Sequence, residues 1–174
     1  LYKDECGFEL LGYCLMGNHV HMLIKADGQP LGGIMKRLTC KFVYWYNAKY
    51  DRIGHLFQDR YKSEPVEDDA HLLTVLRYIH RNPVKAGMAK RPAEYRFSSY
   101  RDYAAGGGIC DTSLVLGMMP VAELVRFTDQ DSDDACLEVQ GAPSCRLTDE
   151  DAKAVMHETC GCSSAADFQS LDRG

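Results

Sequence analysis

The stretch Phe8-Glu9-Leu10-Leu11-Gly12-Tyr13-Cys14-Leu15-Met16-Gly17-Asn18-His19-Val20-His21-Met22-Leu23-Ile24-Lys25 carries two hydrophobic patterns on either side of a turn. Phe8 to Met16 is a short apolar run bounded by Gly7 and Gly17, the pattern of a buried strand. Gly17-Asn18 is a turn signal. His19 to Lys25 alternates, with His19, His21 and Leu23 on one face and Val20, Met22 and Ile24 on the other. Together the two runs predict an antiparallel hairpin. Strand rise sets His19 and His21 about 7 Å apart along the chain on one face, where two imidazoles can share a divalent ion. An H-x-H pair is by itself also a common structural or surface feature.

Upstream, Leu1 to Gly7 reads as the tail of a helix ending at Gly7 in the C′ position, so further chain is expected to precede Leu1. Downstream, Asp27-Gly28-Gln29-Pro30 ends the hairpin, and Leu31 to Tyr50 predicts a helix. Ile34, Leu38, Phe42 and Trp45 form its apolar stripe, and Lys36, Arg37, Lys41 and Lys49 lie off that stripe. Residues 33–62 hold seven Lys and Arg against two acids, interleaved with aromatics. Basic side chains track phosphates and aromatics stack bases; a solvated basic face on an ordinary amphipathic helix fits the same residues. Phe57 to Ser63 is strand-like. Asp68-Asp69-Ala70 supplies a cap and early acids for a helix from about His71 to Asn82, with Pro83 marking its end. Pro92 to Arg101 is loop-like and Gly106-Gly107-Gly108 a linker. Short helices are expected near 113–118 and 120–128, then an acid-rich run at 129–134, a short helix ending near Gly141, and a final pair at 149–159 and 165–171. No internal repeat is present.

The length of 174 residues suits one domain plus an appendage. With 45% apolar and 26% charged residues, the composition excludes collagen-like and disordered chains. No apolar run approaches the ~18 residues of a membrane span. The net charge of −5 argues against a nucleic-acid partner until it is divided along the chain. Residues 1–103 carry 16 Lys and Arg against 12 Asp and Glu, and residues 104–174 carry 4 against 13. This asymmetry suits a mildly basic domain over 1–103 followed by an acidic helical extension over 104–174, and allows a nucleic-acid partner for the first. The eight cysteines show no C-x-x-C and no regular spacing. Cys14 and Cys40 read as small buried hydrophobes, and reduced thiols in a cytoplasmic protein are expected. Cys145, His157, Cys160 and Cys162 are ligand types that suit zinc, but their spacing matches no common finger.

On a helical wheel with Leu72 at the origin, Leu76 and Ile79 define an apolar face. Tyr78, His71 and Asn82 share a separate stripe about 40° wide. Tyr78 and Asn82 are one turn apart. A phenol beside a metal-capable amide is what a metal-assisted phenolate nucleophile needs. The bland alternative is a half-buried Tyr78 and an Asn82 that ends the helix.

Gly12-Tyr13-Cys14-Leu15-Met16-Gly17-Asn18-His19-Val20-His21-Met22-Leu23-Ile24 resembles the HUH motif region of the IS200-like tyrosine (Y1) transposases. Gly54-His55-Leu56-Phe57-Gln58-Asp59-Arg60-Tyr61-Lys62-Ser63 and Arg77-Tyr78-Ile79-His80-Arg81-Asn82-Pro83-Val84-Lys85-Ala86-Gly87 are similar to the REP-associated tyrosine transposase branch, as is Arg96-Phe97-Ser98-Ser99-Tyr100. The resemblance covers residues 7–103 in three ordered motifs. It implies an α+β fold, a ferredoxin-like HUH endonuclease domain with an antiparallel sheet and packed helices, followed by a small helical C-terminal extension. It also implies that the family's first strand and most of its first helix precede Leu1. Where the family often has Pro, this chain has Gly17, which implies a looser turn.

Carried over residue by residue, the resemblance makes His19, His21 and Asn82 ligands of Mg²⁺ or Mn²⁺ and Tyr78 the nucleophile. The implied activity is cleavage and rejoining of single-stranded DNA at hairpin or repeat elements, through a 5′-phosphotyrosine and a free 3′-hydroxyl. Phenols are protonated at neutral pH, so the metal or a neighbour such as His71 must help remove the proton. Lys36, Lys41, Arg60 and Lys62 are the expected phosphate contacts. The competing readings are a domesticated module that holds a DNA hairpin without cutting it and an RNA-binding ferredoxin-like domain. The resemblance leaves monomer and homodimer open.

Overall fold

A computed structural model describes residues 2–131, which fall within one compact unit, Leu1–Glu138. Its elements are α1 (Tyr2–Cys6), β1 (Phe8–Leu15), β2 (Val20–Ala26), α2 (Leu31–Tyr50), α3 (Asp69–Lys85), α4 (Tyr100–Ala104), α5 (Ser113–Met118) and α6 (Val121–Asp129), with a 3₁₀ turn at Pro92–Glu94. The fold class is α+β, a two-stranded antiparallel sheet with helices packed on it. The cluster Cys145, His157, Cys160 and Cys162 and the helices expected at 149–159 and 165–171 lie outside the described residues, as does the short helix ending near Gly141.

The hairpin forms where the alternation places it, and Met16 N–H closes its turn on the His19 carbonyl at 2.9 Å. Gly7 ends α1 at a φ of +63°, the left-handed C′ geometry that glycine accepts at little cost. The register slips between Leu10, opposite Ile24, and Gly12, opposite Leu23, so Leu11 is the extra residue of a bulge. Gly12 has a steric reason to be glycine. A Cβ there would stand 2.7 Å from Leu76 Cδ1, so the missing side chain lets α3 lie close against β1. The far edge of β1 is sewn to a later segment: Leu15 N–H donates to the Phe97 carbonyl and Ser99 N–H to the Tyr13 carbonyl, both at 2.9 Å. Among the described residues β2 pairs with β1 alone.

Asp68 caps α3, its carboxylate accepting from His71 N–H at 2.7 Å. The helix then runs past the stop expected at Asn82, through Pro83 to Lys85. Proline removes one helical hydrogen bond, yet the last turn survives. Ala86 N–H reaches the Asn82 carbonyl at 2.9 Å, and Met88 N–H reaches Pro83 O at 2.8 Å. The apolar face of α3 joins Leu11, Cys14 and Leu23 of the hairpin with Val115 and Leu124 of the last two helices in one core. Arg81 is buried and donates to the carbonyls of Thr128 (3.2 Å) and Asp129 (3.0 Å), and it also pairs with Asp131, so it satisfies the end of α6.

Three expectations need correction. Of the α2 stripe only Ile34 is buried and Leu38 half-buried, while Phe42 and Trp45 are 45% and 49% exposed. Sheet and α1 cover only the first turns of this 20-residue helix, and the rest projects beyond them. Cys40 is exposed rather than buried for the same reason, whereas Cys14 is fully buried; both are free thiols. Phe57 to Ser63 makes no strand. It lies back along α2, with Phe57 against Phe42 (ring centroids 6.2 Å apart), where no strand is present to pair with it.

His80 ties α3 to the hairpin. Its Nε2 lies 2.9 Å from Ser99 Oγ, which also accepts from Tyr13 N–H at 2.9 Å. Burial depresses the His80 pKa to about 3. Unfolding therefore takes up a proton at this site below pH ~6.5, and stability falls with pH between ~6.5 and 3. At pH 5 the loss is about 2 kcal/mol. The thermal midpoint should drop by several degrees between pH 7 and pH 5, where carboxylates are still ionised. A midpoint flat over that range would refute the assignment.

Candidate active site

His19 and His21 flank the first residue of β2 and face the same side, with ring centroids 4.8 Å apart and planes at 86°. Their Nε2 atoms converge to 3.0 Å. The sequence offered only the rise along the strand; side-chain rotamers bring the two nitrogens far closer. Asn18 Oδ1 accepts from His19 Nδ1–H at 2.7 Å, which leaves His19 Nε2 as the lone-pair nitrogen. Burial, and secondarily the neighbouring His19, lower the His21 pKa to about 4, so this ring is neutral at physiological pH.

Tyr78 comes to this pair from α3. Its ring meets His21 edge-to-face, with centroids 5.7 Å apart and planes at 90°. Tyr78 is 6% exposed and forms part of the core beside Leu76 and Ile79. One turn later, Asn82 Nδ2 donates to the Tyr78 carbonyl at 3.4 Å, which holds the amide beside the tyrosine's own turn. Hairpin and helix thus bring together His19, His21 and Tyr78, with Asn82 following Tyr78 on α3.

The other predicted residues stand apart from this group in the fold. His71 is two helical turns before Tyr78, a rise of ~10 Å, and its backbone serves the Asp68 cap. Lys36 and Lys41 lie on the surface of α2, and Arg60 and Lys62 on the exposed segment after it.

Two neighbours escaped the sequence reading. Asn18 was visible only as a turn residue. Lys85 Nζ sits 5.1 Å from the Tyr78 ring centroid. On the wheel Lys85 falls within about 20° of Tyr78; ending the helix at Pro83 is what concealed it.

The donor set can be tested against a divalent ion. Nitrogens bound about 2.1 Å from an ion in adjacent octahedral positions lie about 3.0 Å apart, and the two Nε2 atoms stand at 3.0 Å. One ring is already oriented by an outer hydrogen bond, as metal-bound histidines usually are. Among the described residues no group of three or more His, Cys, Asp and Glu gathers elsewhere. Among the described residues, an oxygen donor to join the imidazoles is an amide such as that of Asn82; substrate or water can supply others. The residues fit a hard or borderline divalent ion with open positions.

With the hairpin and the helical tyrosine in place, the chain can be set beside known proteins. Residues 2–82 match the family model described as "Transposase IS200 like", a span that includes His19, His21, Tyr78 and Asn82. The resemblance read from the motifs is borne out there. More particularly, the chain is 27% identical over 120 residues to a protein of Haemophilus influenzae provisionally named REP-associated tyrosine transposase, an alignment covering 60% of this chain and 68% of that one. No solved structure matches the chain. Among the described residues, no helix is long and apolar enough to cross a membrane.

Proposed function

We propose that this protein is a transposase that cuts and rejoins single-stranded DNA at hairpin or repeat elements, with Tyr78 as nucleophile. The family match and the named relative support the transposase role and, with it, DNA as partner. The observation that carries the finer reading is the edge-to-face contact of Tyr78 with His21, itself 3.0 Å from His19 between ring nitrogens.

The Tyr78 phenolate oxygen attacks the scissile phosphorus as the bond from phosphorus to the 3′-oxygen breaks. The products are a 5′-phosphotyrosine and a 3′-hydroxyl. The phosphodiester's bond energy stays in the adduct, so the 3′-hydroxyl of the same or another strand can reverse the step without ATP. His19, His21 and Asn82 would hold Mg²⁺ or Mn²⁺, which supplies charge to polarise the scissile phosphate. Asn18 keeps His19 in the ligating tautomer. The Lys85 ammonium lies over the Tyr78 ring, where its charge can meet a phosphate of the substrate. The core around Tyr78 keeps its ring in one orientation.

The test incubates 5′- and 3′-labelled hairpin DNA with the protein and Mn²⁺, followed by denaturing electrophoresis. The expected result is a protein-linked 3′ label and a shortened 5′-labelled fragment with a free 3′-hydroxyl, both abolished by EDTA and restored by excess Mn²⁺. A second reading, a hairpin-binding module without cleavage, draws support from the 6% exposure of Tyr78. Retained hairpin binding with no adduct under any divalent ion would favour it and overturn the nucleophile assignment.

A further inference from the structure

The outer half of α2 and the segment that returns along it form a surface the catalytic residues do not use. Asn47 Nδ2 donates to the Gly54 carbonyl at 3.0 Å, Phe57 faces Phe42, and the Tyr61 hydroxyl lies 3.5 Å from where a Cβ on Gly32 would be. The return therefore runs antiparallel to the helix for most of its length. This arm leaves Phe42, Trp45, Tyr50, Phe57 and Tyr61 each between 44% and 51% exposed. Apolar rings this open on a helix whose first turns are well packed point to a ligand.

Charge decides which ligand. Residues 33–62 carry seven Lys and Arg and two acids, so a second copy of the same surface would bring like charges together. The cations also stand beside the rings: Lys49 Nζ is 4.8 Å from the Trp45 centroid and 5.2 Å from that of Tyr50, and Arg52 lies 5.8 Å from Tyr46. A cluster of aromatic rings in mutual contact, with Lys49 over Trp45 and Tyr50 and Arg52 over Tyr46, suits a strand whose bases stack on the remaining ring faces and whose phosphates pair with the cations. From Phe42 to Tyr50 the helix rises ~12 Å, room for about three stacked bases.

We infer that the α2 arm is a second, sequence-tolerant binding surface for single-stranded nucleic acid, which stacks bases on Phe42, Trp45, Tyr50 and Phe57 outside the His–Tyr site. The inference rests on the proposed function only for the substrate being DNA; the surface itself is argued from its rings and charges.

Trp45 is the chain's only tryptophan, so its emission reports on this surface alone. The full chain carrying Tyr78→Phe is titrated with oligo(dT) of roughly ten nucleotides in EDTA, away from any metal-dependent event. Saturable quenching is expected, weakened about fivefold or more by Phe42→Ala and again by Tyr50→Ala, and diminished by salt and by Lys49→Gln. Both rings are about half exposed, and circular dichroism checks that the variants fold. The titration of the Tyr78→Phe chain itself needs no substitution on the α2 surface. Quenching no greater than that by inorganic polyphosphate would overturn base stacking. A Trp45 spectrum that shifts with protein concentration without DNA would overturn the ligand assignment in favour of a second copy. If the DNA-cleavage assay fails while quenching persists in His19→Ala/His21→Ala, the catalytic proposal falls and this one stands.

Discussion

Tyr78→Phe should reduce the covalent protein–DNA adduct to background while leaving hairpin binding within about twofold of wild type. The substitution removes one hydroxyl from a ring that is 6% exposed and packed among Leu76, Ile79 and His21, so the fold loses little volume and no core contact. What disappears is the oxygen that, in the proposed mechanism, bonds to phosphorus. Removing a covalent nucleophile typically costs on the order of 10⁴-fold or more in rate. The paired readout matters because a destabilised variant would lose binding and adduct together. An adduct that survives in Tyr78→Phe would transfer the nucleophile to another residue and undo the mechanism.

Replacing both His19 and His21 by Ala should lower cleavage about 100-fold or more and abolish its response to Mn²⁺, because both converging nitrogens are gone. Asn18→Ala separates ligand from supporter. Its carboxamide touches only the outer nitrogen of His19, so the expected loss is about 10- to 100-fold in apparent metal affinity. Raising Mn²⁺ should rescue Asn18→Ala and leave the double histidine variant inactive. Equal rescue of both would place the metal away from the imidazole pair, and wild-type cleavage by the double variant would remove the pair from the reaction.

The hairpin was legible because period-2 alternation and a turn signal coincide in one short stretch. Its bulge was not, since Leu11 looks like any apolar strand residue until Leu76 is seen pressing on Gly12. Helical angles grouped Tyr78 with Asn82, yet no local pattern can say which distant strand a helix will face. That link came from the motif resemblance, and in the structure it rests on core packing of Leu11, Leu23 and Leu76. Pro83 does not stop α3. A proline so near a helix end forfeits one bond while the following N–H groups still find carbonyls, and Lys85 was hidden as a result. The periodicity of α2 was real, but periodicity shows only that a face is apolar, and what covers that face lies elsewhere in the chain.

Arg81 follows Tyr78 by three residues on one rigid helix, and its guanidinium grips carbonyls 47 and 48 positions further on. The bearing of Tyr78 toward the imidazoles is thereby tethered to a distant part of the polypeptide. Trimming α6 would strand a positive charge in the interior and let the helix roll about its axis, so shortened versions of this protein should lose catalytic alignment before they lose the hairpin.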